Sequence, residues 1–123
     1  MKVILQKNPG SLKKWRAILP DGKKVDFGLK GYSDYTIHKN PLRMRSYVMR
    51  HGGVVSSNLK KSINEKHVQE KMLHVKTSTK ENWSKNGIYT PGFWSRWLLW
   101  SHPSINAAKK EISKKFKVKF QPK

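Results

Sequence analysis

Apolar and polar residues alternate over residues 2 to 6 and 12 to 19, the period of a strand with one buried face. In the second run this sets Trp15, Ala17 and Leu19 on one face and Lys14, Arg16 and Ile18 on the other. Asn8, Pro9, Gly10 and Ser11, all turn formers, separate the two runs. Pro20, Asp21 and Gly22 make a second turn, after which Lys24 to Gly28 returns with Val25 and Phe27 sharing a face. The pattern predicts a small antiparallel meander.

Past a glycine-bounded loop through Gly31, Tyr32 and Tyr35, the period lengthens to that of a helix. Asn40 is suited to cap a helix with Pro41 at its first position and Gly52 at its end. Met44, Tyr47, Val48 and His51 share one face of it, and Arg43 and Arg50 another. Residues 57 to 76 have a helical composition without a single stripe, since Leu59, Ile63 and Leu73 lie opposite Val68, Met72 and Val75. That segment reads as either a helical insertion packing against a partner or a partly mobile arm. Ser78 with Glu81 forms a capping-box pattern for a brief turn that carries Trp83 and stops at Gly87.

Thr90 and Pro91 repeat the Asn40 and Pro41 start, followed by an apolar face of Phe93, Trp94, Trp97 and Leu98. Ser104 caps a last helix with Ile105, Ala108, Ile112 and Phe116 along one stripe and Lys109, Lys110, Lys114 and Lys115 elsewhere. Val118 and Phe120 then alternate, as in a terminal strand able to join the amino-terminal sheet. The expected fold class is α+β, a small antiparallel meander joined by this strand and packed with three to four short helices. Residues 1–123 form one domain in this reading, with 52–80 an inserted helical segment.

Charge changes the picture more than any motif. Lys and Arg number 27 against 7 Asp and Glu, a formal +20 spread along the whole chain. Such an excess attracts polyanions, and nucleic acid is the leading partner, DNA favoured over RNA. The absence of cysteine excludes disulfides and thiolate chemistry. Met1 to Leu5 is too short an apolar run for a secretory signal. Trp97 to Trp100 falls far short of the ~20 residues that span a bilayer, so a membrane partner is not expected.

Catalytic chemistry finds little support. Only Asp26, Asp34 and Glu81 could converge from separate elements. The five histidines lack the i, i+4 spacing of a helical metal site, and no phosphate-binding glycine loop or nucleophile elbow occurs. No catalytic residue, metal or cofactor is expected. Binding chemistry is better represented, because Arg96 lies inside the run Phe93, Trp94, Trp97, Trp100, and Arg16 follows Trp15; such interleaving can stack bases while pairing phosphates. The competing role for Trp94 and Trp97 is the core, which their pattern favours.

Gly31, Tyr32, Ser33, Asp34, Tyr35, Thr36, His38, Lys39 and Pro41, then Arg45, Tyr47, Arg50 and His51, resemble small Lys-rich proteins encoded by large nucleocytoplasmic DNA viruses of the mimivirus and phycodnavirus kind. Glu81, Asn82, Trp83, Gly87, Ile88, Thr90, Gly92 and the run Phe93 to Trp100 continue the resemblance, as does the hairpin from Trp15 to Gly28. This chain departs from the pattern in the basic segment Gly52 to Lys80 and in Pro91, where Ala is usual. The resemblance implies a viral setting, in the virion interior or inner capsid, and supplies no catalytic residue.

The expected function is therefore non-catalytic nucleic-acid binding, as in genome packaging or condensation. Lys14, Arg16, Arg43, Arg50, Arg96, Lys109, Lys110 and Lys114 are the expected contacts. Trp83 and Trp100 are expected to meet a protein partner. The alternative is a minor capsid or scaffold protein that docks onto virion proteins through the aromatic helix and the inserted arm.

Overall fold

The computed structural model describes residues 1–8 and 10–122 of the chain. Three antiparallel strands, β1 (Lys2–Lys7), β2 (Lys13–Ile18) and β3 (Lys24–Leu29), form the predicted meander. Pro9 of the expected first turn lies outside the described residues. The second turn closes where the Leu19 N–H donates to Lys23 O and the Gly22 N–H to Leu19 O. The carboxy-terminal strand β4 (Lys119–Gln121) joins as expected and pairs parallel to β1, giving the order β3-β2-β1-β4. A helix leads into β4, so it approaches the sheet by a crossover, as parallel pairing requires.

Alternation decides which face of the sheet is covered. Val3, Ala17, Val25 and Phe27 are buried, while Ile4, Arg16, Ile18 and Asp26 on the alternate positions stay partly exposed. The helices therefore stack on one side only. Six α-helices are present among the described residues, more than the three to four expected: α1 (Tyr35–His38), α2 (Pro41–Arg50), α3 (Ser57–Lys61), α4 (Glu65–Met72), α5 (Pro91–Trp94) and α6 (Ile105–Phe116).

The predicted caps hold. The Asn40 side chain accepts from the Leu42 and Arg43 N–H groups at the start of α2, Thr90 Oγ1 from Phe93 N–H, and Ser104 Oγ from Ala107 N–H. Gly52, at φ +86, ends α2 in the left-handed region that a side chain would disfavour. Ser78 starts a turn, as its pattern with Glu81 indicates. Its hydroxyl accepts from the Lys80 and Glu81 N–H groups in a turn tied to Gly53 by an isolated bridge, and only the short 3-10 turn Lys85–Gly87 follows.

The segment from 57 to 76 departs from expectation. It is two helices broken at Ser62, whose extended backbone stops α3 while the Asn64 side chain caps α4. The break re-aims the chain, so that Leu59, Val68, Met72 and Val75 are all buried in the common core while Ile63 points out. Leu59 and Met72, which oppose one another on a single straight helix, thus share one core.

The core centres on the aromatic run. After α5 the helix widens into a π-helical turn, Ser95–Leu99, and Phe93, Trp94, Trp97, Leu98 and Leu99 are all buried. Trp94 stacks on Phe27 of the sheet at 6.0 Å, and its indole N–H donates to Ile88 O at 2.8 Å. Trp97 donates to Trp83 O at 2.9 Å.

Inside this turn Arg96 is wholly buried and donates to three backbone carbonyls: Trp100 O at 2.6 Å, Met72 O at 2.7 Å and Val75 O at 3.0 Å. One guanidinium so caps the end of its own turn and the end of α4 together. Arg45 does the same for α3, donating to Leu59 O and Ser62 O, each at 2.7 Å.

These contacts predict that deleting residues 54–78 destroys the fold. The deletion removes the buried side chains of Val55, Leu59, Val68, Met72 and Val75, each worth about 1.5–3 kcal/mol, from a domain held by about 5–15 kcal/mol. It also strips Arg96 of two acceptors. Circular dichroism should show no cooperative melt. A sharp transition with the helical signal retained would show instead that the segment is dispensable.

Candidate nucleic-acid interface

A concave groove of about 540 Å³ opens between the hairpin, α2 and the start of α5. Its α2 wall follows from helical spacing, since Arg43, Tyr47 and Arg50 stand at i, i+4 and i+7. Arg43 and Arg50 are exposed, and among the described residues neither forms an ion pair with a carboxylate. Lys13 adds a third cation at the hairpin side. The concave shape concentrates their field on whatever enters.

Between these cations runs a column of four rings. Tyr47 and Trp100 stack face to face at 4.0 Å with 3° between their planes. His51 stacks on the other side of Tyr47 at 4.0 Å, and His38 meets Trp100 at 5.4 Å. Burial pushes the Tyr47 hydroxyl above the ordinary tyrosine range, with nearby Glu81 adding to the effect, so it stays neutral and does not offset the arginines.

Glu81 fixes the far edge of the groove. Its carboxylate accepts from the Trp83 indole N–H at 2.9 Å and lies 3.4 Å from His51 Nδ1. Gly92 allows this approach, because a Cβ there would come within 2.8 Å of the Glu81 carboxyl carbon.

Of the expected contacts, Arg43, Arg50, Lys14 and Trp100 come together in this groove. Lys14, however, is held at 2.7 Å by the buried Asp34 carboxylate, which leaves less of its charge for a ligand. Arg16 lies on the open face of the sheet and is bonded through two nitrogens to Asp26, at 2.7 and 3.0 Å; that contact holds the Asp26 carboxyl below the usual range. Lys109, Lys110 and Lys114 gather with Lys119 around a shallow trough between α6 and β4, Lys109 lying 5.2 Å over the Phe120 ring.

Two expectations are corrected. Arg96 reaches no phosphate, because its guanidinium is wholly enclosed, with Nη1 and Nη2 bonded to backbone carbonyls. Trp83 meets no partner, being buried with both its N–H and its carbonyl engaged inside the fold. The aromatic run likewise faces the core, which leaves Trp100 as its one half-exposed tryptophan. Tyr47, His51, Lys13 and Glu81 were not among the expected contacts. The α2 spacing carried the signal for Tyr47, whereas Glu81 comes close only through the fold. Among the described residues, no group of three or more His, Cys, Asp or Glu side chains is placed to hold a metal ion, and no helix is long and apolar enough to cross a membrane.

Residues 3–51 match a family of unknown function, DUF5754. The match runs from β1 to the end of α2 and so takes in Lys13, Arg43, Tyr47, Arg50 and His51, one side of the groove. No curated protein and no solved structure matches the chain.

The closed end of the ring column makes the fold sensitive to acid. His38 Nδ1 accepts from the Asn40 N–H at 2.9 Å, a bond that only the neutral ring makes. Burial holds the His38 pKa below its ordinary 6.5, and Arg43 lowers it further against the opposing pull of Asp34. A base whose folded pKa is depressed contributes stability above its unfolded value that is lost as the pH falls through the folded one. Denaturant midpoints should therefore drop as pH goes below 6.5, and His38→Gln should flatten that part of the profile. A profile equally steep in the variant would remove His38 as its source.

Proposed function

We propose that this is a non-catalytic nucleic-acid-binding protein that grips phosphates through dispersed lysines and arginines. The observation that supports it most directly is the pair Arg43 and Arg50, exposed and in no ion pair among the described residues, beside an aromatic column in one concave groove. The α6 and β4 lysines offer a second, shallower contact surface of the same sign. A role in packaging or condensing a viral genome inside the virion, with DNA as the polyanion, rests on the resemblance of the Gly31 to Arg50 and Glu81 to Trp100 segments and on the charge of +20.

Phosphate neutralisation releases counterions, so affinity for duplex DNA should fall steeply with salt, by about 10³–10⁵ between 50 and 200 mM for six to ten phosphate contacts. Replacing Arg43 and Arg50 together by Ala should lower the slope of log affinity against log salt by roughly 0.9 for each phosphate that is no longer neutralised. Fluorescence anisotropy titrations at several salt concentrations measure both. An affinity that does not change with salt would refute the reading.

A further inference from the structure

His51, Tyr47 and Trp100 in the groove, with His38 tilted against Trp100 behind them, form a column with one closed and one open end. At the closed end the outer nitrogen of His38, Nε2, is buried. At the other end the His51 side chain is 39 % exposed and stacks on Tyr47 through one face. Glu81 meets His51 from the ring's edge, at Nδ1, and so fixes its orientation without covering a face. Arg50 precedes it in the chain and Arg43 stands two helical turns back along the same wall.

The geometry points to an unpaired base of a single-stranded nucleic acid as the ligand of this open end: the base stacks on His51 as a fifth ring while its flanking phosphates reach Arg50 and Arg43. This rests on the nucleic-acid reading above and narrows it. A planar π-face accepts any base, so the contact gives affinity without demanding sequence. In a duplex each base is already covered by its stacked neighbours, and its faces cannot enter a groove of about 540 Å³. A single strand presents those faces, and its flexible backbone can follow the two arginines along α2.

The test uses the whole chain, a labelled single strand carrying 2-aminopurine, and the matching duplex, at one salt concentration. The wild type should bind the single strand more tightly than the duplex and change the 2-aminopurine emission on binding. His51→Ala should weaken single-strand binding about tenfold or more, remove the emission change and weaken duplex binding far less. His51→Phe keeps a ring but loses the nitrogen facing Glu81, and should retain both signals. Equal losses for single strand and duplex, an emission change surviving in His51→Ala, or His51→Phe behaving like Ala would overturn the stacking site while leaving general nucleic-acid binding standing. Failure of the wild type to bind either form would overturn both.

Discussion

One buried guanidinium ties the end of α4 to the π-helical turn at the centre of the core. Arg96 has no exposed surface and no carboxylate bonded to it among the described residues, and burial pulls its pKa down to about 9, still well above neutrality. A cation so placed carries a large desolvation cost. Three carbonyl acceptors, the faces of Trp97 at 4.5 Å and Trp83 at 5.5 Å, and the partial negative charge at a helix end offset that cost. Buried ion pairs can often be exchanged for apolar side chains with little loss, because both charges leave together. Here the acceptors are main-chain carbonyls that no substitution removes; Met72 O also accepts from the Val75 N–H, but taking Arg96 away strips Val75 O and Trp100 O of their guanidinium donors.

From this clamp the rest of the architecture follows. Because Arg96 holds Met72 O and Val75 O, α4 is seated in the core and its Gln69 can bridge two further elements: it accepts from the Tyr35 hydroxyl and donates to Ser101 O at 3.1 Å. Because Arg96 also holds Trp100 O, the π-helical turn ends with the Trp100 ring lying flat on Tyr47. The aromatic column and the arginines on α2 are thereby fixed relative to one another. A basic chain thus divides its cations between two tasks. Arg45 and Arg96 serve the backbone, and Arg43 and Arg50, on the same helix as Arg45, remain available to a ligand.

The sequence made some of this plain and concealed the rest for physical reasons. The hairpin was legible because a half-buried sheet imposes strict alternation, seen at Trp15, Ala17 and Leu19 and at Val25 and Phe27. The helix starts were legible because Asn40, Thr90 and Ser104 satisfy amide groups in their own first turn, a local requirement with a local signature. Arg96 was not, since its acceptors on Met72 and Val75 lie on the backbone of a segment more than twenty residues away, and any residue type supplies a carbonyl. The break at Ser62 was hidden for a related reason. A continuous helix set Leu59 and Met72 on opposite faces, and only the turn between α3 and α4 brings both inward. In the groove, the i, i+4, i+7 spacing of Arg43, Tyr47 and Arg50 was readable, whereas the approach of Glu81 and Trp100 depends on the clamp.

The most direct measurement is the thermal and denaturant stability of Arg96→Met, which keeps much of the volume and removes the donors. Each buried acceptor left without a partner costs about 1–3 kcal/mol, so losing the donors to Val75 O and Trp100 O should lower stability by about 2 kcal/mol or more, with the amides of α4 losing hydrogen-exchange protection first. A variant as stable as the wild type, with α4 equally protected, would contradict the account and reduce Arg96 to one packed side chain among many.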